Sequence, residues 1–215
     1  MARTQYQMEL ESVRRNLIQM GETTIALFDE TIRAVLEPDP APSARASELE
    51  SQTDHQHRLI HDQCLNIITR QAPVARDARM ITGILDAIVD LELIGDYSYE
   101  MVTLSSTMRR RAPSQVMAQL ADAARKVRGV LAAAVDSWRD EATPAPVRAH
   151  EPGIRTDCAV LYEKLSRLTA VPGDASTVVD LMLISRHLER ILRHAVCVAD
   201  QACDAASQEQ AQAGS

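Results

Sequence analysis

Prolines are the feature that most restricts this chain, because they fall in clusters that cut it into six long segments of helical periodicity. A proline inside a helix removes a hydrogen bond and clashes with the preceding turn, so each cluster ends one helix before the next begins. The first segment spans about residues 4–37 and stops at Glu37-Pro-Asp-Pro-Ala-Pro. Ser43 is placed to cap a second, which runs to about Gln71, just before Pro73. The third extends from Val74 to about Arg111. Pro113 opens a fourth, ending near Asp140; a fifth reaches about Ala170, with Pro152-Gly153 kinking or delaying its start. The sixth follows Pro172-Gly173, with Asp174 or Ser176 as cap, and ends near Ala206, before a polar tail at 207–215.

The composition agrees with helices throughout. Ala, Leu, Arg, Glu and Gln dominate, with only 7 Gly and 3% aromatics, which favours an all-α chain. A net charge of -7, with 30 acidic residues against 23 basic, argues against nucleic acid as a partner. No stretch approaches the roughly 20 apolar residues that span a bilayer, and the charged N-terminus lacks the apolar core of a signal peptide, so the expected location is the cytoplasm. Cys64, Cys158, Cys197 and Cys203 lack metal-finger spacing and suit free thiols in a reducing compartment.

The third and sixth segments repeat one another. Positions 81, 85, 88, 92, 95, 99 and 102 map at constant offset onto 178, 182, 185, 189, 192, 196 and 199, and Leu91-Glu92-x-Ile94 matches Leu188-Glu189-x-Ile191. An internal duplication follows: two tandem antiparallel three-helix bundles related by pseudo-twofold symmetry, at 1–111 and 112–206.

Two acidic pairs sit symmetrically about Pro73. Glu50 and Asp54 lie one turn apart, as do Glu92 and Asp96; a hairpin turning at Pro73 sets Glu50 opposite Asp96 and Asp54 opposite Glu92. Four partly desolvated carboxylates at one level need protons or cations to coexist, and a hard metal ion is the natural counter-charge. Glu92 has the sharpest argument, since it falls within an apolar stripe beside Leu85, Ile88 and Tyr99 with nothing basic on its own helix face. His57 and His61 continue the Glu50–Asp54 line and make His57 a further candidate ligand. The alternative is an ordinary solvated helix face.

In the second half the same mirror runs through Gly173 and sets Asp157 against Glu189 and Gly153 against Arg193. Only two acids remain there as further metal candidates. Arg193, one turn from Glu189 with the side-chain-free Gly153 across from it, is expected to substitute for the metal as an internal cation. His187 and His194 flank this motif and read as partly exposed helix residues, and Trp138 as an anchor in the packing between bundles.

These motifs resemble those of the PhoU family of bacterial phosphate-uptake regulators. Arg70-Gln71-Ala72-Pro73-Val74-Ala75-Arg76-Asp77-Ala78-Arg79 is similar to the family's hairpin signature, and Asp90-Leu91-Glu92-Leu93-Ile94-Gly95-Asp96 to its acidic motif. The resemblance implies a PhoU-like fold of six long helices and carries metal binding (iron, zinc, magnesium or manganese) onto Glu50, Asp54, Glu92 and Asp96. It further implies a non-enzymatic, cytoplasmic negative regulator of the phosphate-starvation response. Such a protein links the ATPase subunit of the Pst transporter to the PhoR sensor kinase, is often a homodimer, and meets the membrane only through its partners. Two departures stand out: Leu93 replaces the arginine usual after the glutamate, and Glu189-Arg190-Ile191-Leu192-Arg193 ends without its acid. Two other classes fit the residues. One is a helical scaffold that dimerises without metal; the other is a dimetal carboxylate enzyme, against which the lack of facing Glu-x-x-His pairs counts.

Overall fold

The computed structural model describes residues 2–37, 40–70, 73–108, 113–139, 147–168 and 175–206. They form six α-helices and, among the described residues, no strand: α1 (Ala2–Leu36), α2 (Pro40–Arg70), α3 (Ala75–Thr107), α4 (Ser114–Asp136), α5 (Val147–Leu168) and α6 (Ala175–Ala206). The expected bundle boundary at 111/112, the cap Asp174 and the tail at 207–215 lie outside the described residues.

Two helix starts differ from expectation. α2 begins at Pro40, three residues before Ser43. Its first turn has no intrahelical acceptors for its N–H groups, so Pro40 and Pro42 sacrifice nothing there, and the fixed proline φ already suits a helix. α5 likewise starts at Val147 and runs through Pro152 without delay, leaving out the one ladder bond that a residue there would make to the Arg148 carbonyl. Ser176 is consequently the second residue of α6, not its cap.

α1, α2 and α3 pack on one another, as do α4, α5 and α6, and the most extensive contact of all joins α3 to α6. The repeat explains why these two helices are central. The buried positions of α3 are 81, 84, 87, 88, 91, 94, 95, 98, 101 and 102, and adding 97 to each gives a buried position of α6. Both helices are covered on several sides, so their apolar faces are broader than the single stripe the sequence suggested. Positions 85, 92 and 99 form the half-buried edge of that face rather than its middle.

Close approaches and polar clasps hold the halves together. A Cβ on Gly21 of α1 would stand 2.6 Å and 2.8 Å from the two methyls of Val135 on α4, so these helices touch almost backbone to side chain. Beside that crossing, Arg128 forks onto Asp29 at 3.2 Å and Arg139 pairs with Glu22. Trp138, in the turn after α4, is buried; its indole N–H donates to the Val198 carbonyl of α6 at 3.0 Å within the second bundle, and its ring edge would stand 3.4 Å from a Cβ on Gly83 of α3, which gives it the inter-bundle contact expected of it. The four cysteines are free thiols; burial lifts Cys64 and Cys158 to a pKa of about 11, which makes them poor nucleophiles.

Candidate metal centre and its mirror in the second bundle

The α2–α3 hairpin brings three of the four predicted carboxylates together. Glu50, Asp54 and Asp96 each offer an oxygen, and these oxygens all lie within 4.8 Å of one another. Two oxygens on one ion are separated by at most twice a metal–oxygen bond, about 4–5 Å for bonds of about 2.0–2.6 Å. The spacing therefore fits a single hard cation. Partial burial, followed by the negative charges of Glu92, Asp54, Glu50 and Glu100, raises the Asp96 carboxyl above the ordinary aspartate range. An anion made unfavourable in this way by its neighbours is what a bound cation would relieve. The residues present fit the metal that the acidic motifs suggest, and Glu50, Asp54 and Asp96 are the ones that would hold it.

Glu92 stands apart from these three. His57 on α2 contacts it, Nδ1 to Oε2, at 3.1 Å, and the Glu92 side chain is 32% exposed. The sequence looked for a basic partner on the helix face of Glu92 itself, and placed the side chain mid-stripe where it stands at the edge. The partner comes from the neighbouring helix, three residues beyond Asp54, and the edge position leaves the carboxylate open to water. Asp96 is also exposed, with Glu50 and Asp54 half-buried, so the cluster sits on a wet rim and not in the interior of the bundle. His61 points away toward Asp62 at 3.6 Å.

The second bundle is arranged differently from expectation. Asp157 meets Lys126 of α4 at 2.6 Å, and Glu189 meets Arg186, one turn earlier on α6, at 2.6 Å. These cations, and not Arg193, neutralise the two acids. A lysine on the third helix of the bundle lay outside a mirror argument that considered only α5 and α6. Gly153 has no atom within 4 Å of a Cβ built on it and faces a groove of about 580 Å³ between α4 and α5. Arg193 instead lines a separate polar hollow with Tyr97, Arg155 and Arg190.

A polar network that sequence reasoning missed lies between α3 and α6. His194 places Nδ1 2.7 Å from Asp90 Oδ1, while Gln201 donates to the other Asp90 oxygen at 2.7 Å. His187 is buried, stacks on Tyr97 with centroids 5.5 Å apart, and has Nε2 3.4 Å from Glu100. Both histidines were expected to be partly exposed, as His194 is, whereas His187 is buried. The signal available was the 97-residue offset, since 187 corresponds to Asp90 of α3, so two polar residues occupy equivalent places on the paired helices.

Comparison with known proteins follows the same outline. Residues 17–104 match the PhoU domain. A phosphate-specific transport system accessory protein PhoU homolog of Synechocystis sp. is 28% identical over 93% of this chain and 90% of its own length. The homolog of the same name in Pseudomonas putida is 27% identical over 89% and 76%. The crystal structure of PhoU from Pseudomonas aeruginosa superposes with a TM-score of 0.84 at 22% identity, covering 94% of this chain and 99% of that one. The phosphate transport system regulatory protein PhoU from Streptococcus pneumoniae gives 0.83 at 14% identity, covering 92% and 95%. No helix among the described residues is long and apolar enough to cross a membrane. The chain thus carries a match to the PhoU domain in its first half and aligns through both halves with proteins named as PhoU homologs.

Proposed function

We propose that this chain is a cytoplasmic, metal-binding regulator of phosphate uptake that represses the phosphate-starvation response by coupling a Pst-type transporter to the PhoR sensor kinase. The observation that carries this reading is the alignment over 93% of the chain with a relative named as an accessory protein of phosphate-specific transport. The carboxylate cluster supports the metal. Its oxygen-only donor set suits magnesium or manganese; zinc would ask for the His57 imidazole, which Glu92 already engages. A bound ion would neutralise the rim of the α2–α3 hairpin and change the surface shown to a partner.

No catalytic step enters this account. A helical body whose exposed faces favour one transporter state over another shifts that equilibrium by its differential affinity alone, and by linkage the transporter state alters what the sensor kinase binds. The working form is a homodimer in contact with the transporter ATPase subunit, reaching the membrane only through it. Deleting the gene should switch on phosphate-starvation genes in phosphate-rich medium, read as reporter expression. Unchanged expression would remove the regulatory reading. Metal analysis of the purified protein with and without Asp96→Asn tests the ion separately.

A further inference from the structure

The two bundles carry opposite charge at mirror-related places. Where Glu50 and Asp96 meet in the first, Gly153 and Arg193 occupy the second; where Val89 and Leu93 stand on α3, the 97-residue offset gives Arg186 and Arg190 on α6. With Arg155 of α5, these arginines line a polar hollow of about 440 Å³, and Tyr97 of α3 forms part of its wall. The wall holds four guanidiniums and two carboxylates, Glu151 and Glu189, a formal excess of two positive charges in a chain whose net charge is -7.

Two of the four are engaged within the wall: Arg186 binds Glu189 at 2.6 Å, and Arg155 reaches Glu151 only at 3.9 Å. The Arg190 guanidinium lies over the Tyr97 ring, 5.3 Å from its centroid, which holds it at the wall of the hollow. Among the described residues neither Arg190 nor Arg193 makes an ion pair. Like charges gathered without counter-charge repel one another, and a planar guanidinium matches the oxygens of a phosphate through two parallel hydrogen bonds. The volume lies in the range of small-ligand sites, about 300–1,000 Å³, and leaves room for more than one phosphate group.

We propose that this hollow is a binding site for a multiply charged phosphate-type anion, with Arg190 and Arg193 as direct ligands and Arg155 drawn in from its long contact to Glu151. The site uses none of the first-bundle carboxylates and goes beyond the regulatory reading.

The test is calorimetric titration of the full chain with sodium pyrophosphate and, separately, inorganic phosphate, at constant ionic strength set with chloride. Saturable binding is expected, tighter for pyrophosphate. A charge-assisted hydrogen bond contributes enough that Arg193→Gln should weaken binding about tenfold or more, and Arg190→Gln combined with Arg193→Gln should abolish it. Both side chains are exposed, so circular dichroism should show the variants folded. Arg125→Gln, on α4 beside Asp122, should bind as wild type does. The proposal falls if neither anion gives saturable heat, as when the hollow receives an acidic segment of a partner instead. It falls equally if binding survives the double substitution, or is lost to the same degree in Arg125→Gln. A null result here with an intact gene-deletion phenotype would leave the regulator standing.

Discussion

Asp96 shares its rim with Glu50 and Asp54, and partial burial and those charges together hold its carboxyl above the usual aspartate range. A folded-state pKa raised in this way means that the folded chain holds the proton more firmly than the unfolded one. The resulting stabilisation is complete below the unfolded value near 3.8 and is lost as pH rises through the folded value. In chelator at pH 7, Asp96→Asn should therefore unfold no earlier than wild type, since it removes a carboxylate that its neighbours disfavour. Adding manganese should reverse the ranking. At a free concentration a hundred times Kd, a cation that binds only the folded state adds about 2.7 kcal/mol, or about 5–10 °C in Tm for a chain of this size. Asp96→Asn should show little of that rise. A thermal melt of both proteins with and without metal measures this, and equal shifts would mean that the ion sits elsewhere.

Among the helices, two glycines make opposite demands although both sit in helical backbone. Gly21 lies where α1 crosses α4 against both methyls of Val135, a branched side chain that cannot turn one methyl aside without presenting the other. Gly21→Ala regains about 1 kcal/mol of helix propensity but forces an overlap costing about 1–3 kcal/mol, so the expected result is a net loss on the order of 1 kcal/mol. Gly153→Ala meets open space and should gain up to about 1 kcal/mol. Urea denaturation midpoints separate the two, and a stabilised Gly21→Ala would contradict the close crossing. How far the elements could be read in advance follows from the range of the signals. Proline clusters and capping residues act within one turn, so all six helices were legible, though Pro40 and Pro152 were read as breakers when α2 starts on the one and α5 runs through the other. The Pro73 mirror placed Glu50, Asp54 and Asp96 at one level because two paired helices keep register. It said nothing of Lys126 or Arg186, since a cation from a third helix, or from the preceding turn of the same one, leaves no mark in a two-helix mirror.

For the whole molecule, the α3–α6 contact is what makes two bundles one body, and its polar residues decide how it responds to pH. The Asp90–His194–Gln201 network satisfies both Asp90 oxygens across that contact, so the halves are held in one register as well as pressed together. His187 contributes a different dependence. Burial, the largest influence, pushes its pKa below the usual 6.5; Glu100 on α3 pulls it up and Arg190 pushes it down, while Tyr97 stacks on the ring. A histidine with a depressed folded pKa contributes stability that is fully present above about 6.5 and is lost as pH falls through its folded value, because protonation then favours the unfolded chain. Asp96 acts in the opposite sense: the same fall in pH restores the stability tied to its proton. The two contributions are separable by substitution. His187→Phe keeps a flat ring on Tyr97 and loses only the contact to Glu100, a carboxylate 60% exposed and hence of small consequence. Stability followed by denaturant titration from pH 7 to pH 5 should fall less steeply in His187→Phe than in wild type, and when the titration is carried on down toward the unfolded aspartate value near 3.8 it should fall more steeply in Asp96→Asn. A His187→Phe profile parallel to wild type would show that the α3–α6 contact takes its pH response from a group other than His187.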